Sequence, residues 1–81
     1  MTVAIINKLI MVGAIFGKNG IIPKWFIHDN KRRDIKKVTY TWKSNTGESV
    51  IIQFSVSDGA TLYEIGFNQK TVQWSLEKVE A

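Results

Sequence analysis

Residues 50–67 read VIIQFSVSDGATLYEIGF. Val50, Ile52, Phe54 and Val56 fall at every second position before Asp58-Gly59, and Tyr63, Ile65 and Phe67 do so after it. Successive side chains of a strand point to opposite faces, so a period of two puts each set on one face of a sheet. Asp58-Gly59 is a hairpin dipeptide, because both central residues of a type I′ turn need positive φ. Ser57 opposite Ala60 then predicts Phe54 opposite Tyr63, Ile52 opposite Ile65 and Val50 opposite Phe67.

The pattern continues outward. Val38, Tyr40 and Trp42 share one phase in VTYTW, as do Val72, Trp74 and Leu76 in TVQWSL. A five-residue loop over 44–48, with Gly47 left-handed, sets Trp42 opposite Val50 and Tyr40 opposite Ile52. A turn at Gln69-Lys70 sets Phe67 opposite Val72 and Ile65 opposite Trp74. These turns put every apolar set on one face of an antiparallel meander over 36–43, 49–57, 60–68 and 71–79.

The first half is punctuated by Gly13, Gly17, the KNG turn ending at Gly20, and Pro23, which suits a strand start or an edge. Residues 3–16, rich in Ile and Val, read as a buried first strand, with a short helix laid across the sheet as the alternative. Their longest uninterrupted piece, LIMVGAIFG, is too short to span a bilayer, and no small-x-small cleavage site follows it. Ile35 and Val38 are out of phase, which predicts a bulge or bend near 35–37. The expectation is one all-β domain over 1–81, a small antiparallel meander of five or six strands. It forms a barrel-like or strongly bent sheet of SH3-like size with at most one short helical turn, and its last residues, 79–81, fray.

Several chemistries lack their residues. Without cysteine there is no disulfide, thiolate zinc site or cysteine nucleophile, and a reducing, cytoplasmic setting is expected. His28 is the one histidine, and on a strand Asp29 would point away from it. Asp58, Glu64 and Glu77 are scattered, so no carboxylate pair suggests acid–base work. GKNG lacks the Lys-Ser/Thr of a phosphate loop. The expectation is a non-enzyme without cofactor, metal or membrane partner.

Charge is uneven. Residues 1–43 carry nine Lys/Arg against two Asp, +7; residues 44–81 carry two Lys against five Asp/Glu, −3. The stretch DNKRRDIKK, 29–37, holds five of the basic residues, and 29–34 reads as the tip of a turn. A candidate anion or nucleic-acid patch is Lys24, Lys31, Arg32, Arg33, Lys37 and Lys43, with Trp25, Phe26 and Trp42 as stacking platforms. The KKV-then-aromatic hairpin resembles that of the archaeal basic chromatin proteins over about a tenth of the chain. Against this reading, Tyr40 and Trp42 lie in the phase assigned to the core. The favoured reading is a protein-interaction or self-associating module. PKWFIH is apolar on both faces, so Pro23, Trp25, Phe26 and Ile27 form a candidate edge for an unknown protein partner or a homodimer. Nucleic-acid binding through the basic hairpin 24–43 is the alternative.

Residues 13–79 also resemble a group of short uncharacterised bacterial proteins. The matching residues are Asn19, Gly20, Ile22, Pro23, Phe26, Ile35, Val38 and Trp42 in the opening. Phe54, Ser55, Val56, Leu62, Tyr63, Glu64, Phe67, Asn68, Trp74 and Leu76 match in the later block. The resemblance implies a small, mostly β domain and brings no activity with it.

Overall fold

The computed structural model describes residues 2–81, and every regular element among them is a strand. β1 is Val3–Gly17, β2 Gly20–His28, β3 Lys31–Asp34, β4 Lys37–Thr46, β5 Ser49–Ser57, β6 Leu62–Asn68 and β7 Gln73–Glu80. They form one antiparallel sheet in the order β3-β2-β1-β7-β6-β5-β4. There are thus seven strands rather than five or six, and the segment 3–16 is strand rather than helix.

β1 sets the architecture. Its first part, Val3 to Ile10, pairs with β7, and its second, Met11 to Gly17, pairs with β2. The strand therefore joins a three-stranded part to a five-stranded part. The two parts fold toward each other: Phe26 of β2 meets Tyr63 of β6 with ring centroids 5.0 Å apart. β1 and β7 lie between those strands, and a flat sheet with neighbours about 4.8 Å apart would separate them by roughly 14 Å. The sheet is therefore curled, and its inner face holds Phe26, Phe54, Val56, Tyr63, Ile65, Phe67, Trp74 and Leu76. Ring contacts of Phe67 with Trp74 and Phe54 with Trp74 continue that core. Register irregularities at Ile5/Lys8, Gly13/Ala14, Val38/Tyr40 and Glu64/Ile65 supply local bending. Asn7 takes φ 52° at the first of them, a conformation asparagine tolerates.

The chain passes from one sheet edge, β3, to the other, β4, through Ile35 and Lys36 alone. Three Cα–Cα steps of 3.8 Å hold Asp34 and Lys37 within about 11 Å. Ile35 N donates to Lys24 O at 2.9 Å and Lys36 N to Ser57 O at 2.8 Å, so the connector ties both sides. β3 and β4 do not pair, and the sheet is not closed into a barrel.

The turns correct the expected registers. Asp29 and Asn30 both have positive φ, which makes the β2–β3 turn two residues long; 31–34 is strand rather than turn. Asp58 and Gly59 do not form the type I′ turn. Asp58 Oδ1 accepts Ala60 N and Thr61 N at 2.9 and 2.8 Å, and Ser57 pairs with Leu62 across four loop residues. Phe54 therefore faces Ile65 and Ile52 faces Phe67. This slip of two positions leaves the inner face intact, and β6–β7 slips equally between its turn and the bulge at Glu64/Ile65, with Phe67 opposite Trp74 and Val72, expected opposite Phe67, left in the turn. β4 differs by an odd number. The turn at Gly47-Glu48 closes on Thr46–Ser49, which puts Trp42 opposite Gln53. Val38 still packs on the core, but the bulge at Thr39 turns Tyr40 and Trp42 outward.

Asp58 also accepts Tyr63 OH on Oδ2 at 3.1 Å. The Ala60 N–H, helped by Thr61, Tyr63 and the Arg33 charge, holds its carboxyl below the usual carboxylate value against a cost of burial. A depressed folded pKa contributes stability above the unfolded value, about 3.9, and loses it as pH falls through the folded value. Asp58→Asn should therefore lower the urea midpoint near neutral pH, with the gap from the wild type closing in acid. Val72, exposed at φ 57°, is a β-branched residue in the left-handed region. Val72→Gly should raise stability in the same urea measurement by roughly 0.5–1 kcal/mol, the strain removed less the entropy glycine costs.

Candidate functional site on the outer face of the sheet

Only one face of β1 is covered. Ile6, Ile10, Val12 and Ala14 pack against the core, and Phe16 reaches Phe67 edge-on at 5.5 Å. The alternate residues Val3, Ile5, Leu9, Met11 and Ile15 are 53–68% exposed. The first strand was expected to be buried; among the described residues no second layer covers its outer side. On β2 the row widens: Ile22, 49% exposed, pairs with Ile15, and half-buried Ile27 pairs with Met11.

Gly13 lies within this row for a steric reason. Trp25 pairs with it, and a methyl group at Gly13 would run into the indole. Arg32 lies over the indole, its guanidinium carbon 4.8 Å from the ring centroid, and its Nε donates to Asp34 Oδ1 at 3.0 Å. Trp25 thereby contacts both β1 and an arginine. Toward β5–β7 the face turns polar. Gln53 is buried, and Glu77 rests over Gly66, where any Cβ would meet its carboxylate, Ile51 and the Gln53 amide. Burial pushes the Glu77 carboxyl above its usual value; the Gln53 amide and Lys78 oppose the shift and Glu64 adds to it. Glu77 Oε2 is closed off from solvent without a partner. A shallow depression beside it is lined by Lys8, Leu9, Ser44 and Ser75.

The candidate edge Pro23, Trp25, Phe26 and Ile27 is corrected. From Trp25 to His28, β2 has β1 on one side and β3 on the other, so Trp25, Phe26 and Ile27 lie on an interior stretch, and Pro23 lies beyond the end of β3. Pro23 and Phe26 are fully buried, which also removes Phe26 as a stacking platform; Trp25 and Ile27 are half-buried on the outer face. The actual edges are the four-residue β3, rich in charge, and the ten-residue β4.

The six residues of the basic patch do not converge. Arg33 pairs with Phe26, turns inward and has a buried Nε without a partner. Arg32 is engaged by Asp34 and Trp25. Lys37 and Lys43 stand on opposite faces of β4, about 20 Å apart along the strand at roughly 3.3 Å per residue. Lys24 is the extra residue of the β2 bulge, and Lys31 closes the hairpin opposite His28. His28 Nε2 is 3.5 Å from Asp29 Oδ2, because the left-handed turn brings together neighbours that a strand would separate. Among the described residues no group of three or more His, Cys, Asp or Glu could hold a metal ion. Nor is any helix there long and apolar enough to cross a membrane.

Compared with known proteins, the chain matches no family model, no curated protein and no solved structure.

The outer row of β1 was written in the sequence as LIMVGAIFG, apolar in both phases. That pattern does not distinguish a strand covered twice from one whose second face is left open. Gly13→Ala should lower stability by roughly 1–3 kcal/mol through forced displacement of the indole. Urea unfolding of Gly13→Ala, Trp25→Ala and the double variant checks this: the double variant should be more stable than the sum of the two losses predicts.

Proposed function

We propose that the protein is a non-enzymatic interaction module of the cytoplasm that docks a protein, a second copy of itself included, on the outer face of β1 and β2. The observation that carries this reading is the row Val3, Ile5, Leu9, Met11 and Ile15, each more than half exposed along one side of one strand. Contiguous exposed apolar surface rimmed by polar groups marks interaction sites in monomeric proteins. Full burial of a Leu, Ile or Met side chain contributes about 1.5–3 kcal/mol, so a few such residues suffice as anchors. The row has a rim: Ile5 pairs with Lys78 and Val3 with Glu80 at one end, and Arg32 and Asp34 flank it on the far side of β2. The open, barrel-like curl supports the reading, because it holds the outer side of β1 convex and accessible. The bacterial resemblance is compatible with it and adds no ligand or cofactor.

Nucleic-acid binding through 24–43 remains the second reading, favoured by outward Tyr40 and Trp42 with Lys37 on the same face. The inward Arg33 and the Arg32–Asp34 pair weaken it.

Sedimentation equilibrium over a concentration series tests the first reading. The wild type should gain mass with concentration, and Leu9→Glu/Met11→Glu should stay monomeric with an unchanged melting temperature. A wild type monomeric at millimolar concentration would remove self-association. Titration with single-stranded DNA at low and moderate salt tests the second reading, which requires binding that weakens steeply with salt.

A further inference from the structure

The inner face opens to solvent between β2 and β4. β3 covers β2 only from Trp25 to His28, so the stretch Gly20–Pro23 has no neighbour on that side. Across the gap stands β4, whose Thr41 and Lys43 pair with Phe54 and Ile52 and share their inward phase. The result is a cleft of about 560 Å³, within the range of small-molecule sites. Its floor is apolar: Ile21, Ile52 and Phe54. Its rim is Asn19, Thr41, Lys43 and Gln69, each able to donate a hydrogen bond, and no acidic residue lines it.

We propose that this cleft binds a small amphipathic carboxylate, with the apolar body on Ile21, Ile52 and Phe54 and the charged group on Lys43. Lys43 forms no ion pair among the described residues, so its ammonium is free for an anion. The amides of Asn19 and Gln69 and the Thr41 hydroxyl can hydrogen-bond the carboxylate from the same rim. An alkyl ammonium of equal size would meet a lysine and no carboxylate, so the site discriminates by sign. An inward lysine on an edge strand also serves to prevent edge pairing, and that role alone requires no ligand. The site is on the opposite face from the β1 row and stands independently of it.

Titration of the ¹⁵N-labelled full chain with hexanoate, octanoate and decanoate, each below its micelle concentration, tests the site by amide shift. Shifts are expected at Ile21, Thr41, Lys43 and Ile52, with affinity rising about fourfold per methylene until the floor is covered. Lys43→Met should lower octanoate affinity at least tenfold and Lys43→Arg should largely keep it, the scale of a hydrogen bond to a charged group. Octylammonium should leave the cleft amides unmoved. The proposal is overturned by an absence of shifts at those residues, by shifts confined to Leu9, Met11 and Ile15, or by equal binding of octylammonium. The octanoate–octylammonium comparison is made on the wild type, so it stands even if Lys43→Met fails to fold.

Discussion

The hydrogen bonds of β1 are divided along its length, and the rest of the molecule follows from that division. Val3 to Ile10 bond to β7 and Met11 to Gly17 bond to β2, so one strand belongs to both parts of the sheet. A strand cannot do this in a flat sheet without leaving long edges on both sides. Here the two parts close over a shared inner face, and Phe26 packs on Tyr63 across two intervening strands. The short connector from Asp34 to Lys37 keeps the edges together at one end, where Asp58, Tyr63 and Arg33 lie. At the other end β3 is too short to follow, and the inner face stays open.

The same curl separates two environments. Aromatic and branched side chains crowd inward, while the outer side of β1 has no layer to meet. This leaves Leu9 and Met11 exposed although their neighbours Ile10 and Val12 pack on the core. Charge follows the same geometry. Arg32 lies over Trp25 outside and Arg33, its neighbour, turns inside, so a basic run in sequence becomes several separated charges in space.

How much of this could be read beforehand depended on parity. Around Asp58 and around Gln69-Lys70 the turns differ from expectation, yet the slip beside each turn is two positions, and an even slip leaves the paired side chains on their face; Val72, expected inward, is instead drawn into the turn and exposed. The inward set of β5, β6 and β7 was therefore legible although its partners were misassigned. At β4 a two-residue turn replaced a five-residue loop and a bulge was added, and the odd difference moved Tyr40 and Trp42 to the surface. The candidate edge failed for another reason: the strand that covers β2 is only four residues long and reads as a charged turn.

The amino-acid sequence by itself determined the all-β class, the antiparallel meander and the inward residues from Phe54 to Leu76. Period-two alternation and local turn residues act over a few positions and need no knowledge of distant partners. Only the tertiary structure decided which faces remain open. Whether Leu9 or Phe26 is covered depends on strands far away in the chain, on bulges that shift phase, and on a curl set by how β1 shares its hydrogen bonds. None of these is encoded at the residue whose exposure it fixes.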